Sequence, residues 1–393
     1  MKKVTLSLAV IAGLSMYSTA NADSLLEALT DGKMSGEFTT TYENRKVDKE
    51  ISPWGINYYS NTSYAVGSFA LKYETGVWND ISLTSKFRAY TTLFEEDKNS
   101  TTSYGTGDAS ERFREKDGSD RTVDLEELFL TYTPMNNISI KTGRQFISTD
   151  WVNKTHDAVR IDATFEDTSL EAIWSARTGR IYSRDYRPMD KFNKNDGVYK
   201  LGLTQKFTEN ISATAYDAIF PDLRDIIGGK VNLKYGATSI RAHYAASKED
   251  TVTGLKDSNL IDFMASTSIA GFSPYAGYIK VDDDAAFPGY ANSAGEIIVP
   301  FEEGDYVYSK GAETIYLGVS KSIGDLSATL LYGMTEYLDG TNNKLDMDET
   351  TLWLGYPVTK DIKANLGYTM VNEVDGSAHG DYDQLNITLA YTF

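Results

Sequence analysis

Gln384-Leu385-Asn386-Ile387-Thr388-Leu389-Ala390-Tyr391-Thr392-Phe393 alternates polar and apolar residues up to its aromatic end. Leu385, Ile387, Leu389, Tyr391 and Phe393 fall on one face of an extended chain, and the polar residues fall on the other. A period of two is the signature of a strand with one apolar side. Working outward, Ile81, Leu83, Phe87, Ala89 and Leu93 oppose Ser82, Thr84, Lys86, Arg88, Tyr90 and Thr92. Ile227, Gly229, Val231, Leu233 and Tyr235 oppose Gly228, Lys230, Asn232 and Lys234, and Ile362, Ala364, Leu366 and Tyr368 oppose Lys363, Asn365, Gly367 and Thr369. Strands of a soluble sandwich are usually about five or six residues long. Runs of about ten match a tilted strand crossing the hydrocarbon of a membrane.

Composition narrows the function classes. The 38 Lys+Arg and 56 Asp+Glu give a formal charge of −18, which argues against a nucleic-acid surface. With no cysteine, disulfides, thiolate metal sites and thiol nucleophiles are all excluded. The 3 histidines (His156, His243, His379) leave little material for a His-based site, and no nucleophile motif of the G-x-S-x-G kind occurs. Asp282-Asp283-Asp284 lacks the spacing of a calcium loop and reads as solvated. No cofactor, no metal and no catalysis are therefore expected. A mean hydropathy of −0.37 is too polar for a helical membrane protein, and 41% hydrophobic residues is too apolar for disorder.

Lys2 and Lys3, the apolar run Val4–Leu14 and Ala20-Asn21-Ala22 have the order of a secretory signal peptide. The expected organisation is a leader over 1–22 and one barrel domain over 23–393, whose residues 23–32 form a short periplasmic segment. Short links are expected at Gly76–Asp80, Pro134–Asn137, Asp167, Thr208–Asn210, Gly236–Ala237, Ala270–Gly271, Ile323–Asp325 and Thr359–Asp361. They alternate with longer polar ones at Lys46–Thr62, Glu95–Arg121, Ile147–Asp157, Thr178–Gly197, Phe220–Asp225, Ser247–Ser258, Asp282–Ala312, Glu336–Asp348 and Asn372–Asp381. That leaves about eighteen strands, with sixteen as the alternative, in an all-β, transmembrane antiparallel β-barrel of the Gram-negative outer membrane. Lipid offers no hydrogen-bond partners, so the first and last strands must join. The terminal Leu389, Tyr391 and Phe393 would face lipid and present the aromatic end read by the outer-membrane assembly machinery. Tyr73, Trp78, Tyr132, Trp174, Phe207, Tyr235, Tyr244, Tyr332, Tyr356 and Tyr368 fall toward strand ends on the outward face, as interfacial girdles require.

A closed sheet of about eighteen strands has a backbone diameter of ~35 Å, too wide for small inward side chains to fill. With only about eleven residues between the leader and the first strand, no plug domain is expected and water should fill the lumen. Inward parity selects Lys72, Lys86, Arg88, Lys141, Arg160, Arg177, Lys200, Lys206, Lys230, Lys234, Arg241 and Lys363, against the acids Glu127, Asp162, Glu166 and Glu171. A low-dielectric wall of one sign concentrates counter-ions, so the expected channel passes small hydrophilic solutes and favours anions or small carboxylates. Alternatively these bases pair with loop acids near the rims.

The stretch Glu127-Leu128-Phe129-Leu130-Thr131-Tyr132, the turn Pro134–Asn137 and Ile138–Phe146, with Gly143-Arg144-Gln145, resembles the E-A-Y-L-x-Y … L-K-x-G-R-Q stretch of outer-membrane porin D-like (Opr-type) porins. Asn153–Phe165 is similar to that family's third loop and the strand leaving it, and Tyr73-Glu74-Thr75-Gly76 to its first periplasmic turn. The resemblance implies eighteen strands, a monomeric or trimeric pore and a ladder of basic side chains for carboxylate substrates. It also implies a constriction built by inward-folded third and seventh loops, here 147–157 and 282–312. Asp150, Trp151, Lys154 and Asp157 in the one, and Asp282, Asp283 and Asp284 in the other, are the constriction candidates. Two departures stand out: Arg144 has outward parity, and the acidic seventh loop would build a cation-attracting mouth. The partners implied are outer-membrane lipid and lipopolysaccharide, periplasmic chaperones, the assembly machinery and small solutes, with no nucleic acid. A structural or adhesive barrel and an outer-membrane hydrolase are the competing classes.

Overall fold

In the computed structural model the residues described are 22–47, 60–102, 105–113, 123–191, 193, 196–288, 300–304, 306–373 and 381–393. The leader therefore falls almost wholly outside the described residues, as do parts of five of the expected long loops. Eighteen long strands form the wall. They are β1 (Lys33–Val47), β2 (Thr62–Glu74), β3 (Ile81–Glu95), β4 (Val123–Met135), β5 (Ile138–Thr149), β6 (Val152–Phe165), β7 (Thr168–Tyr182), β8 (Val198–Thr208) and β9 (Ile211–Phe220). The second half comprises β10 (Arg224–Tyr235), β11 (Thr238–Glu249), β12 (Ser258–Ser266), β13 (Phe272–Val281), β14 (Glu313–Ile323), β15 (Leu326–Leu338), β16 (Lys344–Pro357), β17 (Ile362–Glu373) and β18 (Tyr382–Thr392). Each pairs antiparallel with its neighbour, and a short strand, Asp185–Lys191, folds back on β7 and bridges to Phe113 through Tyr186.

β1 pairs with both β2 and β18, with Phe38 opposite Tyr391 and Thr40 opposite Leu389, so the sheet closes. Gly36 and Phe393 exchange backbone hydrogen bonds at 2.9 and 3.1 Å, extending the seam to the last residue. Closure satisfies both edges, as a sheet in lipid requires. Leu389, Tyr391 and Phe393 are all exposed on the outer surface. They join a belt of exposed Phe38, Leu128, Leu130, Leu201, Leu203, Ile227, Leu317 and Leu330. Exposed apolar side chains all round a closed sheet are what a hydrocarbon environment demands. Tyr132, Trp174, Phe207, Tyr235, Tyr244, Tyr332 and Tyr356 are exposed on the same surface.

Two loop expectations need correction. Ile147–Asp157 is not an irregular loop. β5 and β6 run on as a ladder from Ile138↔Ala163 to Thr149↔Val152, closed by a tight turn at Asp150-Trp151 with Trp151 at φ 63°. Phe220–Asp225 is also tight, because Leu223 N donates to Phe220 O (3.0 Å) and Phe220 already pairs with Arg224. A short helix, α1 (Leu25–Thr30), precedes β1 and is capped by the Ser24 hydroxyl, which accepts from Glu27 N at 3.1 Å.

Candidate functional site: the barrel lumen

The hairpin of β5 and β6 shapes the lumen because it leaves the wall. β4 pairs with β5 only from Met135↔Ile138 to Leu128↔Arg144, whereas β4 itself continues along β3 to Val123. Gly143 sits at the departure point with φ 126°, where a side chain would run into the Leu128 carbonyl. Arg144 marks the same point. Its guanidinium donates to Leu125 O (2.9 Å), a carbonyl of the β4 edge that β5 no longer covers, and to Asp157 (2.7 Å). The departure from parity is thus a seam residue where hairpin and wall separate, and the pairing Arg177–Asp157 (3.6 Å) adjoins it.

Beyond that seam the tip crosses the lumen. Trp151 is fully buried, its Nε1 donates to the Tyr216 hydroxyl of β9 (2.9 Å), and Tyr216 and His243 Nε2 are 2.6 Å apart. Asp150 forms an ion pair with Lys230 of β10 at 2.5 Å. Burial resists ionisation of Asp150, and Lys230 and Lys200 outweigh it, holding the carboxyl below the usual range. The Trp151 ring lies 5.0 Å from Phe287 and 6.1 Å from Tyr308, both from the 282–312 segment. The hairpin and this segment therefore meet inside the barrel. Asp150 and Trp151 take part, and Lys154 and Asp157 lie in the hairpin ladder opposite Ile147 and Arg144.

Asp282, Asp283 and Asp284 do not reach this contact, which corrects their placement at the constriction. Asp283 is three-quarters exposed and pairs with Lys280 (2.8 Å), while Asp282 accepts from Asn259 (2.6 Å). The cause is anchoring: Val281 N donates to Ala312 O and Gly311 N to Asp282 O, fixing both ends of the segment to the rim.

The outer half of the lumen holds two packed regions. On the β8–β15 side, Trp151, Phe287, Phe301, Val307 and Tyr308 pack on the inward Tyr216, Phe220, Ile226, Leu260, Ile279 and Leu331. The expectation that water alone fills the cylinder is corrected here, since side chains from the hairpin and the 282–312 segment form an apolar core inside the wall. Adjoining it through Phe301 and Glu302 lies a charge network. Arg45 pairs with Glu111 (3.1 Å) and donates to Gln384 (2.8 Å), Arg112 pairs with Glu303 (2.8 Å), and Arg184 pairs with Glu302 (2.9 Å). Glu43 stands between Arg112 (3.5 Å) and Arg184 (4.0 Å). Glu349 of β16 accepts the backbone N–H groups of Glu302, Glu303 and Gly304 at 2.8, 3.2 and 3.3 Å, plus the Thr351 hydroxyl at 2.8 Å. Burial works against ionising Glu302, but Arg184 and Arg112 prevail and lower its pKa.

The inward bases divide in two. Most are paired: Lys72 with Glu74 (2.9 Å), Lys86 with Glu126 (2.7 Å), and Arg88 with Glu126 (2.8 Å) and Glu37 (3.0 Å). Arg160 pairs with Asp162 (2.8 Å) and Glu171 (3.1 Å), Lys200 with Glu171 (2.7 Å) and Arg241 with Asp262 (2.7 Å). Lys141, Lys206, Lys234 and Lys363 have no carboxylate within ion-pair distance among the described residues; Lys141 lies over the Phe129 ring at 5.5 Å. These four belong to the inner half, near the short turns, where Lys206, Lys234 and Lys363 are exposed.

The inward positions singled out from the sequence left out Asp124, which lies 3.6 Å from Arg144, as well as Glu126, Glu43, Arg45 and Glu349. The β3–β4 register shifts between Lys86↔Glu127 and Phe87↔Leu125, a bulge that turns Glu126 toward Lys86 and Arg88. Glu43 and Arg45, at successive inward positions of one strand, were a readable signal of a buried pairable site.

The family model described as Campylobacter major outer membrane protein matches residues 1–169, under half of the chain. No curated protein matches. Among solved structures, Pseudomonas aeruginosa OpdO is similar at 16% identity with a TM-score of 0.74, over 94% of this chain and 98% of that one. Acinetobacter baumannii OccAB1 is similar at 13% identity and 0.73, over 93% and 97%. Pseudomonas aeruginosa OpdK, solved with vanillate, is similar at 14% identity and 0.73, over 93% and 99%. The protein is a porin-fold barrel of the bacterial outer membrane. At these identities the likeness of this porin-fold barrel to the Pseudomonas structures is one of fold, and by sequence it is the Campylobacter model that matches, rather than the porin D-like family specifically.

Proposed function

We propose that this barrel is a diffusion channel for small hydrophilic solutes, and that its inner vestibule favours anions and small carboxylates. The observation that carries the preference is the set of inner bases without carboxylate partners, Lys141, Lys206, Lys234 and Lys363. Fixed positive charge on a low-dielectric wall raises the local concentration of counter-ions. Vanillate, the molecule in the OpdK structure, is a carboxylate of the class such a vestibule would favour. Export by the 1–22 leader, assembly guided by the Leu389, Tyr391 and Phe393 end, and a homotrimeric state belong to the same reading.

A second reading rests on the outer rim, where Asp283 and Asp284 of the acidic seventh loop are exposed and would attract cations. The purified protein in a planar bilayer decides between them. Discrete conductance steps are expected, and correctly inserted protein that never conducts would reject the channel. Under a KCl gradient the reversal potential should report anion preference, and a cation preference would favour the rim reading.

A further inference from the structure

We infer that α1 is an amphipathic foot that lies in the headgroup–acyl boundary of the inner leaflet, against the outer surface of the barrel, rather than a periplasmic tail. The helix is tied to the first short turn: Gly76 N donates to Ala28 O (2.8 Å), Ala22 N donates to Val77 O (2.8 Å), and the Tyr73 hydroxyl donates to Leu29 O. Tyr73 pairs opposite Met34 on the lipid-facing side, and its ring covers Gly32, so the attachment is outside the wall. At about 100° per residue, Leu25, Leu26 and Leu29 share one face of the helix, while Ala28 packs on Gly76. The leucines are 52%, 71% and 45% exposed, and Ala28 is 2% exposed.

Among the described residues these three leucines, on one turn and a half of helix, stay about half or more exposed. They adjoin the belt where it ends, beside Met34 and Phe393, which are themselves exposed at 66% and 53%. Continuity with that surface identifies the occupant as lipid. The helix continues the apolar belt to its lower edge, Tyr73 and Trp78 mark the interface, and Asp23, Glu27 and Asp31 supply the polar side. The foot would fix the height and tilt of the closing strands β1, β2 and β18 at the seam.

The absence of cysteine from the sequence makes the test direct. A fluorophore on Leu26→Cys reports alone, with Leu317→Cys as a belt control and Asp325→Cys as a control in an exposed turn. The full barrel is placed in phosphatidylcholine vesicles brominated either near the headgroup or near mid-chain. The Leu26 label should emit to the blue of the Asp325 label and be quenched more by the shallow bromines than by the deep ones. A Leu26 label quenched by neither lipid overturns the inference, whether it is in water or covered by a second copy. In a Leu25→Ser, Leu29→Ser background the barrel should still run as folded on an unheated gel, while the Leu26 label loses most of its quenching. Full quenching in that background would also overturn it, since the leucine face would then not be what holds the helix in lipid.

Discussion

The two halves of the lumen carry similar residue types and use them in opposite ways. In the outer half, Glu43, Arg45, Glu111, Arg112, Arg184, Glu302 and Glu303 neutralise one another within 4.0 Å and hold loop segments against the wall. In the inner half, Lys206, Lys234 and Lys363 stand exposed without a carboxylate within ion-pair distance among the described residues. A paired buried charge fixes structure, because removing its partner leaves an uncompensated ion. An unpaired charge in a wet vestibule does little for the fold and much for the field. In the proposed function the outer half is therefore the constriction and the inner half an electrostatic collector.

The sharpest way to break that contrast is at the hairpin tip. Trp151→Ala removes a fully buried indole and its hydrogen bond to Tyr216, which should weaken docking by about 3 kcal/mol. Larger and noisier single-channel conductance is expected, with new protease cleavage near Asp150. Unchanged conductance would show that the tip does not limit flow.

Glu349→Leu attacks the other anchor. Three backbone N–H groups of 302–304 lose their acceptor, at a cost of about 2 kcal/mol to the docked segment. Cleavage within that segment should quicken, while Glu349→Gln, which keeps one carbonyl oxygen, should lie between. If cleavage rates of the two variants match, the carboxylate is not the anchor.

Acid offers a graded version of the same test. Asp150 and Glu302 have folded-state pKa values below their unfolded ones. The stabilisation they give is therefore present above the ordinary carboxylate value of about 4 and disappears as pH falls through the lower folded values. Both contacts should survive at mildly acidic pH and loosen only below it, followed as protease access or conductance noise. Opening between neutrality and mild acid would assign control to another group.

How much of this was readable in advance follows from which rule each feature obeys. Closure, strand number and the outward faces rest on a strict period of two, and Leu389, Tyr391 and Phe393 show it without interruption. Inward parity also picked out Lys86, Arg88 and Lys230, but not their partners. Glu126 reaches Lys86 and Arg88 through a bulge, and Asp150 reaches Lys230 from a hairpin that leaves the wall, events that alternation does not encode. The apolar core inside the barrel did leave a trace. Ile226-Ile227 and Leu260-Ile261 are apolar on both faces near the outer ends of their strands, which a wall exposed to water on one side does not need.

The smallest expected effect is also the one that isolates the inner half. At ~10 Å, about a Debye length at 0.1 M salt, one wall charge acts on a permeant ion with about 0.4 kcal/mol at the dielectric constant of water. Replacing Lys206, Lys234 and Lys363 together by Gln should therefore move the anion-to-cation permeability ratio by a few-fold toward cations, and more in dilute salt than in concentrated. None of the three holds an ion pair among the described residues, so the fold and the single-channel conductance in concentrated salt should change little. Arg45→Gln, by contrast, removes a cation already neutralised by Glu111, and frees that carboxylate inside the network. Its consequence should appear as loop instability before it appears as selectivity. If the triple variant leaves the reversal potential unmoved and Arg45→Gln shifts it, the collector and the constriction have been assigned to the wrong halves.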